Sequence, residues 1–77
     1  MKGLWNMVHK VILSGVYETD GGAVPIHEEG TSLNEIVYRL QKEDEDFGHT
    51  YMEFELELPS GEIKDVSKLI SRIVSNA

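Results

Sequence analysis

Three histidines are the side chains of this sequence with an ordinary pKa suited to proton transfer near neutral pH. They are His9, His27 and His49, and none stands in a catalytic motif. His27 begins the triplet His-Glu-Glu, whereas the metalloprotease arrangement needs a second histidine four residues later on the same helical face. No serine lies in a nucleophile elbow, and the sequence has no cysteine. We therefore expect neither a catalytic site nor a catalytic metal.

A calcium-loop template is partly matched by Asp44, Asp46 and Glu55, which fall at its positions 1, 3 and 12. The match fails at position 5, because Gly48 has no side-chain ligand, and at position 6, where His49 replaces the glycine that the tight turn needs. A strand is also predicted after the loop instead of a helix. We expect a solvated acidic loop with no metal site and no other cofactor; the alternative is weak binding of a divalent cation at millimolar concentration.

The most regularly spaced acids are Glu53, Glu55 and Glu57, within a segment at 51–58 that alternates acidic and apolar residues. A strand places alternate side chains on opposite faces, so the three carboxylates would share one face about 6.8 Å apart. Such a row repels only mildly in water and needs no partner, so a solvated surface is one interpretation. Four further acids precede the strand and would extend the same negative surface towards Tyr51; they are Glu43, Asp44, Glu45 and Asp46. The other interpretation is a site for a basic partner.

Two more hypotheses concern this surface and the amino-terminal tryptophan. A row near 6.8 Å has about half the charge density of phosphates 3.4 Å apart along one DNA strand, so DNA mimicry would require the acidic loop to fill the gaps. Trp5 is either a core aromatic or an interface anchor, since tryptophan is prominent in binding hot spots. We include Trp5 among the candidate partner-binding residues.

The charge of the sequence is negative and unevenly distributed. The formal net charge is -7, but residues 1–17 carry +2, residues 18–62 carry -11 and residues 63–77 carry +2. The acidic middle repels phosphate backbones, which disfavours direct binding to DNA or RNA and favours a protein with a basic surface. No membrane-spanning stretch or cleavable signal pattern is found, and the lack of cysteine favours the cytoplasm.

The apolar patterns predict a single domain at 1–77, of 40% hydrophobic and 27% charged residues. A first strand is expected at 6–17, with the face of Val11, Leu13 and Tyr17 favoured as core. A glycine turn leads to a weak strand at 23–27, which Pro25 confines to an edge. Ser32 begins a helix that ends near residue 42.

The central strand follows the acidic loop, and a weak strand at 62–64 and a second helix capped by Asp65 come after it. The order is β-β-α-β-β-α: an α+β fold with a small antiparallel sheet of three to four strands and both helices on one face. The predicted core residues are Met52, Phe54, Leu56, Ile36, Leu40, Leu69, Ile70 and Ile73.

These patterns favour a small acidic, non-enzymatic protein-binding module, in its specific form an inhibitor or DNA mimic that acts on a nucleic-acid-binding protein. The alternative is a homo-oligomeric structural or regulatory subunit that pairs through an open sheet edge. A small enzyme is the third hypothesis, because no nucleophile, base and orienting group occur together.

Overall fold

The computed structural model describes residues 10–76. Four strands and two helices follow one another as β1 Val11–Thr19, β2 Gly22–Gly30, α1 Leu33–Glu43, β3 Met52–Glu57, β4 Ile63–Asp65 and α2 Ser67–Ser75. The strands form one antiparallel sheet in the order β2-β1-β3-β4. The predicted order and the α+β class are therefore confirmed, with four strands in the sheet.

Strand β1 lies inside the sheet, between β2 and β3. Its buried side chains are Val11, Leu13 and Tyr17, which confirms the face that the sequence favoured as core. The predicted start of this strand, at 6–9, lies outside the described residues. Gly15 pairs with Phe54, and a Cβ atom at Gly15 would come within 2.8 Å of the Phe54 Cα. The glycine thus allows the aromatic ring to pack directly against β1.

Strand β2 is longer than predicted, because a tight turn at Asp20 and Gly21 pairs it with the whole of β1, from Thr19↔Gly22 to Val11↔Gly30. Its nine residues replace the weak five-residue strand expected from the sequence. The edge position predicted from Pro25 is confirmed. Local sequence gave β2 little strand propensity, and the pairing along β1 supplies the stability.

Helix α1 begins with the predicted cap. Ser32 Oγ accepts a hydrogen bond from the Glu35 backbone N–H at 3.2 Å, and Glu35 Oε1 accepts one from the Thr31 N–H at 2.7 Å. The carboxylate therefore satisfies a donor one residue before the cap itself, in a variant of the capping box. The helix ends at Glu43, and the Asp44 N–H bonds to the Leu40 carbonyl at 3.0 Å.

The second helix corrects two predictions. Leu69 is 43% exposed and does not belong to the core, because α2 directs Ile70 and Val74 inward and leaves Leu69 on its flank. Ile73 packs against the core but is only partly buried. Asp65 is the last residue of β4, with Val66 at the N-cap position, although the Asp65 carboxylate still accepts the Ser67 N–H at 2.9 Å.

One core unites the inner face of the sheet with both helices. Phe47, from the loop after α1, is fully buried at its centre, with its ring 5.2 Å from that of Tyr17 and 5.6 Å from that of Phe54. The buried residues are Val11, Leu13, Tyr17, Leu33, Ile36, Val37, Leu40, Phe47, Met52, Phe54, Leu56, Val66, Ile70 and Val74. Over residues 10–76, neither helix has the length and apolar character needed to cross a bilayer.

Candidate protein-binding surface

The three glutamates of β3 lie on the face of the sheet that points away from the helices. Glu53, Glu55 and Glu57 are exposed, and the alternate residues of the strand are buried in the core. The predicted acidic row is therefore present as a surface feature. Among the described residues, none of these three carboxylates lies within 4.0 Å of a cationic nitrogen.

We call this side of the sheet the outer face and define it by strand register. It consists of Ile12, Ser14, Val16 and Glu18 from β1, Ala23, Pro25, His27 and Glu29 from β2, Glu53, Glu55 and Glu57 from β3, and Ile63 and Asp65 from β4. Six of these side chains are acidic. Lys10 contacts one of them, with its Nζ 3.0 Å from Glu29 Oε1 at one corner of the sheet.

Tyr51 extends the acidic row at the start of β3. Its side chain is 63% exposed, and its backbone carbonyl accepts the Glu18 N–H at 2.9 Å. A hydrogen bond to the Glu53 carboxylate, together with the charge of that group, raises the pKa of the Tyr51 hydroxyl. The phenol therefore stays protonated and presents a large amphipathic group beside two carboxylates, the type of side chain that often anchors protein interfaces.

An acidic cleft of about 350 Å³ lies at the same end of the sheet, lined by Glu18, Thr19, Asp20, Asp44, Asp46, Thr50 and Tyr51. The sequence identified Asp44, Asp46 and Tyr51 as candidates for one surface, and the fold brings these three together. It did not identify Glu18 and Asp20, which the β1–β2 hairpin places opposite the acidic loop. Their position near a glycine turn was visible in the sequence, but the approach of that turn to the loop depends on strand pairing.

Asp44 lines the acidic cleft, and two hydrogen bonds hold its carboxylate in place. Its Oδ2 accepts a hydrogen bond from the Tyr17 hydroxyl at 2.6 Å, and its Oδ1 accepts one from the Asp46 backbone N–H at 3.0 Å. These bonds, the Tyr17 one foremost, lower the pKa of the Asp44 carboxyl. The same bond, with burial and the negative charges nearby, raises the pKa of Tyr17 to about 12. Asp44 thus fixes the end of α1 to β1 and contributes negative potential to the cleft.

The rest of the acidic run points elsewhere. Glu43 ends α1 and Glu45 lies in the following turn; both are exposed, and neither lines the cleft. The run predicted as one negative surface is therefore divided between the cleft and the end of the helix. Trp5 lies outside the described residues.

The remaining residues considered for chemistry are dispersed. His27 lies on the outer face with its Nδ1 3.1 Å from Ser14 Oγ, and His49 is exposed in the loop before β3. Glu55, the last position of the calcium-loop template, does not line the cleft that contains Asp44 and Asp46. Within residues 10–76, no group of three or more histidine, cysteine or acidic side chains is arranged to hold a metal ion.

The geometry of the site is that of an open, negatively charged sheet face that continues into an acidic cleft. Its exposed carboxylates and phenol suit the binding of cationic side chains by charge and hydrogen bonding. Comparison of the chain with protein-family models, with curated proteins and with solved structures gives no match.

Proposed function

We propose that this protein is a non-enzymatic binding module whose outer face engages a protein with a basic surface. The observation that carries the proposal is the row of Glu53, Glu55 and Glu57, exposed on one face and free of ion pairs within the described residues. Tyr51 and the acidic cleft continue the row at one end. Together they form a negative surface that runs along β3 and around the end of the sheet.

The charge of this surface selects the class of partner. A field of clustered carboxylates attracts lysine and arginine side chains and accelerates the encounter with a basic protein. It repels the phosphates of nucleic acids and of anionic lipids, so neither a polynucleotide nor a membrane is proposed as a direct partner.

We place the module in the cytoplasm because its sequence has no cysteine. Fractionation of cells that express a tagged form tests that location.

An inhibitor of a nucleic-acid-binding protein is the more specific form of the proposal. Asp44 and Asp46 extend the glutamate row at its end and do not fill the gaps within it. The row therefore keeps about half the linear charge density of one DNA strand. A basic protein surface in general is better supported than a groove shaped for DNA.

A pair of charge-reversal variants tests the proposal. In the first, Glu53, Glu55 and Glu57 become lysine; in the second, the matched control, the same change is made at Glu43, Glu45 and Glu62, which are exposed but not on the outer face. Both variants change the net charge equally, so a general loss of electrostatic attraction affects them alike. Circular dichroism checks the fold of each.

The partner is recovered with the wild-type protein at low and high salt and its affinity for each form is then measured. We expect the outer-face variant to lose binding, the control variant to retain it, and the wild-type affinity to fall as salt rises. Equal affinities for wild type and the outer-face variant at both salts would refute the proposal. Equal loss in the two variants would show that only the total charge matters.

Self-association through β2 is the second candidate, favoured by its nine residues, which within residues 10–76 pair with another strand on one side only. The Glu18 N–H bonds to the Tyr51 carbonyl, just before β3, so every second residue of β1 directs its backbone N–H and C=O towards β3. The β2 partners of these residues therefore direct their own backbone groups outward; they are Ala23, Pro25, His27 and Glu29. Pro25 is one of these outward residues and has no N–H. Arg39 Nη2 donates to the outward carbonyl of Glu29 at 2.6 Å. These features remove two of the eight outward N–H and C=O positions, one near the middle of the strand and one near its end. They interrupt the ladder that a second copy could form, so the acidic face remains the better candidate.

Sedimentation at high micromolar concentration tests this second candidate. A dimer that forms as the concentration rises would support pairing through the free edge of β2. A monomer throughout the range would eliminate it and leave the outer face as the proposed binding surface.

A further inference from the structure

Apolar side chains line the centre of the outer face, where the glutamate row alone would predict a polar surface. Ile12 and Val16 on β1 are only partly buried, and no helix or strand of the described chain packs over them. At the margins of the same face, Pro25 is exposed and Ile63 is 59% exposed. The outer face therefore offers apolar as well as charged groups to a partner.

Strand register alternates these apolar groups with carboxylates. Ile12 lies between Glu29 on β2 and Glu57 on β3, and Val16 pairs with Glu53. Seen across the sheet, an aliphatic centre therefore has the glutamate row along one side, one strand away, at about 4.8 Å. A complementary ligand needs an apolar stripe with cationic groups beside it.

We propose that the occupant of the outer face is an amphipathic basic helix of a partner protein, with aliphatic residues on the stripe that meets Ile12 and Val16 and lysine or arginine over the glutamate row. This inference rests on the proposed function and specifies its partner. A helix in this place would complete a three-layer arrangement, with helices on both faces of the sheet.

The dimensions of the face agree with a helix that lies along β1. Ile12 and Val16 are four residues apart on a strand, which spans about 13.6 Å at about 3.4 Å per residue. A helix covers that length in about nine residues, with an aliphatic side chain at each turn. Its diameter of about 10 Å reaches from β1 over the glutamates of β3.

Charge decides against two other occupants. A second copy of this chain laid face to face would oppose its own row of Glu53, Glu55 and Glu57, and like charges at an interface oppose association. A groove built to hold nucleic acid is lined with polar and cationic groups for phosphates, and it would leave Ile12 and Val16 without apolar contacts.

Three synthetic peptides of equal length and charge test the inference. The first carries leucine and lysine at helical spacing; the second has serine in place of each leucine; the third contains the residues of the first in an order without helical periodicity. Affinity for the wild-type protein is measured by isothermal titration at low and high salt. We expect the first peptide to bind one-to-one and at least about tenfold more tightly than either of the others, because aliphatic burial adds to the ionic attraction. This preference should persist at high salt, since salt screens only the ionic part.

Two variants locate the binding. Replacing Ile12 and Val16 with threonine keeps β-branched side chains and strand propensity but removes apolar surface, and it should abolish the preference for the first peptide. Replacing Glu53, Glu55 and Glu57 with glutamine should weaken the binding of the first two peptides at low salt. The first peptide should still bind more tightly than the second. Thermal melts check each fold, and the single threonine variants replace the double variant if it unfolds.

Each outcome separates the inference from the proposed function. Equal affinity of the leucine and serine peptides for the wild type, or a preference that survives the threonine changes, overturns the amphipathic partner. An equally tight third peptide overturns its helical form. In all these cases the proposed function stands as long as the glutamine variant loses affinity. A glutamine variant with unchanged affinity for both lysine peptides counts against the proposed function itself.

Discussion

Tyr17 and Asp44 show how a single contact joins elements that are distant in the sequence. The Tyr17 hydroxyl donates to Asp44 Oδ2 at 2.6 Å, which connects β1 to the residue after α1. The same tyrosine ring packs edge-on against Phe47, so one side chain closes the core and fixes the wall of the acidic cleft. At the scale of residues, the structure of the cleft thus depends on core packing.

Tyr17→Phe should lower the melting temperature by an amount that depends on pH. The hydrogen bond from Tyr17 lowers the Asp44 pKa in the folded state. Its contribution to folding stability is therefore fully present above the unfolded Asp44 pKa of about 3.9 and is lost as the pH falls through the folded value. The Tyr17 pKa is raised to about 12. The contribution of the Tyr17 hydroxyl to folding stability is therefore fully present below its unfolded pKa of about 10 and is lost as the pH rises through the folded value.

Melting curves of wild type and Tyr17→Phe across the pH range provide the measurement. The difference between them should be largest near neutral pH and should shrink at both acidic and strongly basic pH. Asp44→Asn serves as the second variant and should show the same loss at acidic pH. A difference that stays constant with pH would show that the hydroxyl contributes no charged hydrogen bond.

Phe54→Ala should cost about 3–5 kcal/mol of folding free energy, because the ring is buried between Phe47 and β1 and its removal leaves a cavity. Tyr51→Ala is the matched control, because Tyr51 is an aromatic residue close to Phe54 in the sequence but is 63% exposed. This substitution should change the folding free energy by less than about 0.5 kcal/mol. Urea denaturation of both variants measures the difference. Similar losses in the two would contradict the burial of Phe54 in the core.

At the scale of elements, the edges of the sheet are protected in different ways. Strand β4 has only three residues, which limits the ladder that another chain can form with it. Strand β2 has nine, but Pro25 removes an outward donor near its middle and Arg39 occupies the carbonyl of Glu29. Strand β2 thus stabilises β1 by pairing with it over its full length, up to Thr19↔Gly22 beside the turn. The outer edge of β2 nevertheless does not offer a complete ladder to another chain.

Pro25→Val should increase self-association, because it restores an outward N–H to the free edge and adds strand propensity. Ala23→Val is the matched control, since residue 23 is also outward and already has its N–H. Sedimentation at a series of concentrations compares the two variants with wild type. If both variants sediment alike, the proline does not protect the edge.

At the scale of the whole molecule, charge opposes the compact fold as well as serving the proposed function. The sequence has 14 acidic residues against 7 lysines and arginines, and within the described residues the structure forms two ion pairs, Lys10–Glu29 and Arg39–Glu28. Within residues 10–76, most carboxylates of the outer face are therefore held close together by the sheet without an ion-pair partner. Clustered like charges destabilise a compact state through mutual repulsion.

Moderate salt should therefore raise the melting temperature of the free protein, since it screens this repulsion. Replacing Glu53, Glu55 and Glu57 with glutamine should raise the melting temperature at low salt and reduce its salt dependence. Calorimetry over a salt series compares the two proteins, with sodium chloride as the screening salt. A wild-type melting temperature that falls with salt would show that attractive pairs dominate the charge energy of the fold.

The sequence by itself determined the features that depend on near neighbours. Alternation along β3 indicated which side chains are buried, Ser32 and Glu35 marked the start of α1, and Pro25 assigned β2 to an edge. These signals are reliable because strand and helix periodicity and capping act over a few residues. They were sufficient for the element order and for the exposure of the glutamate row.

The tertiary structure decided whatever depends on register and on packing between distant segments. It extended β2 along β1, buried Phe47 and left Leu69 exposed, since a flank residue of a short helix is covered only if a neighbour lies there. It also placed Glu18 and Asp20 beside the acidic loop, and Ile12 and Val16 beside the glutamates of β3; these contacts are set by strand pairing. A shift of one residue in that register would turn each strand's side chains to the other face, so no local pattern specifies which groups meet.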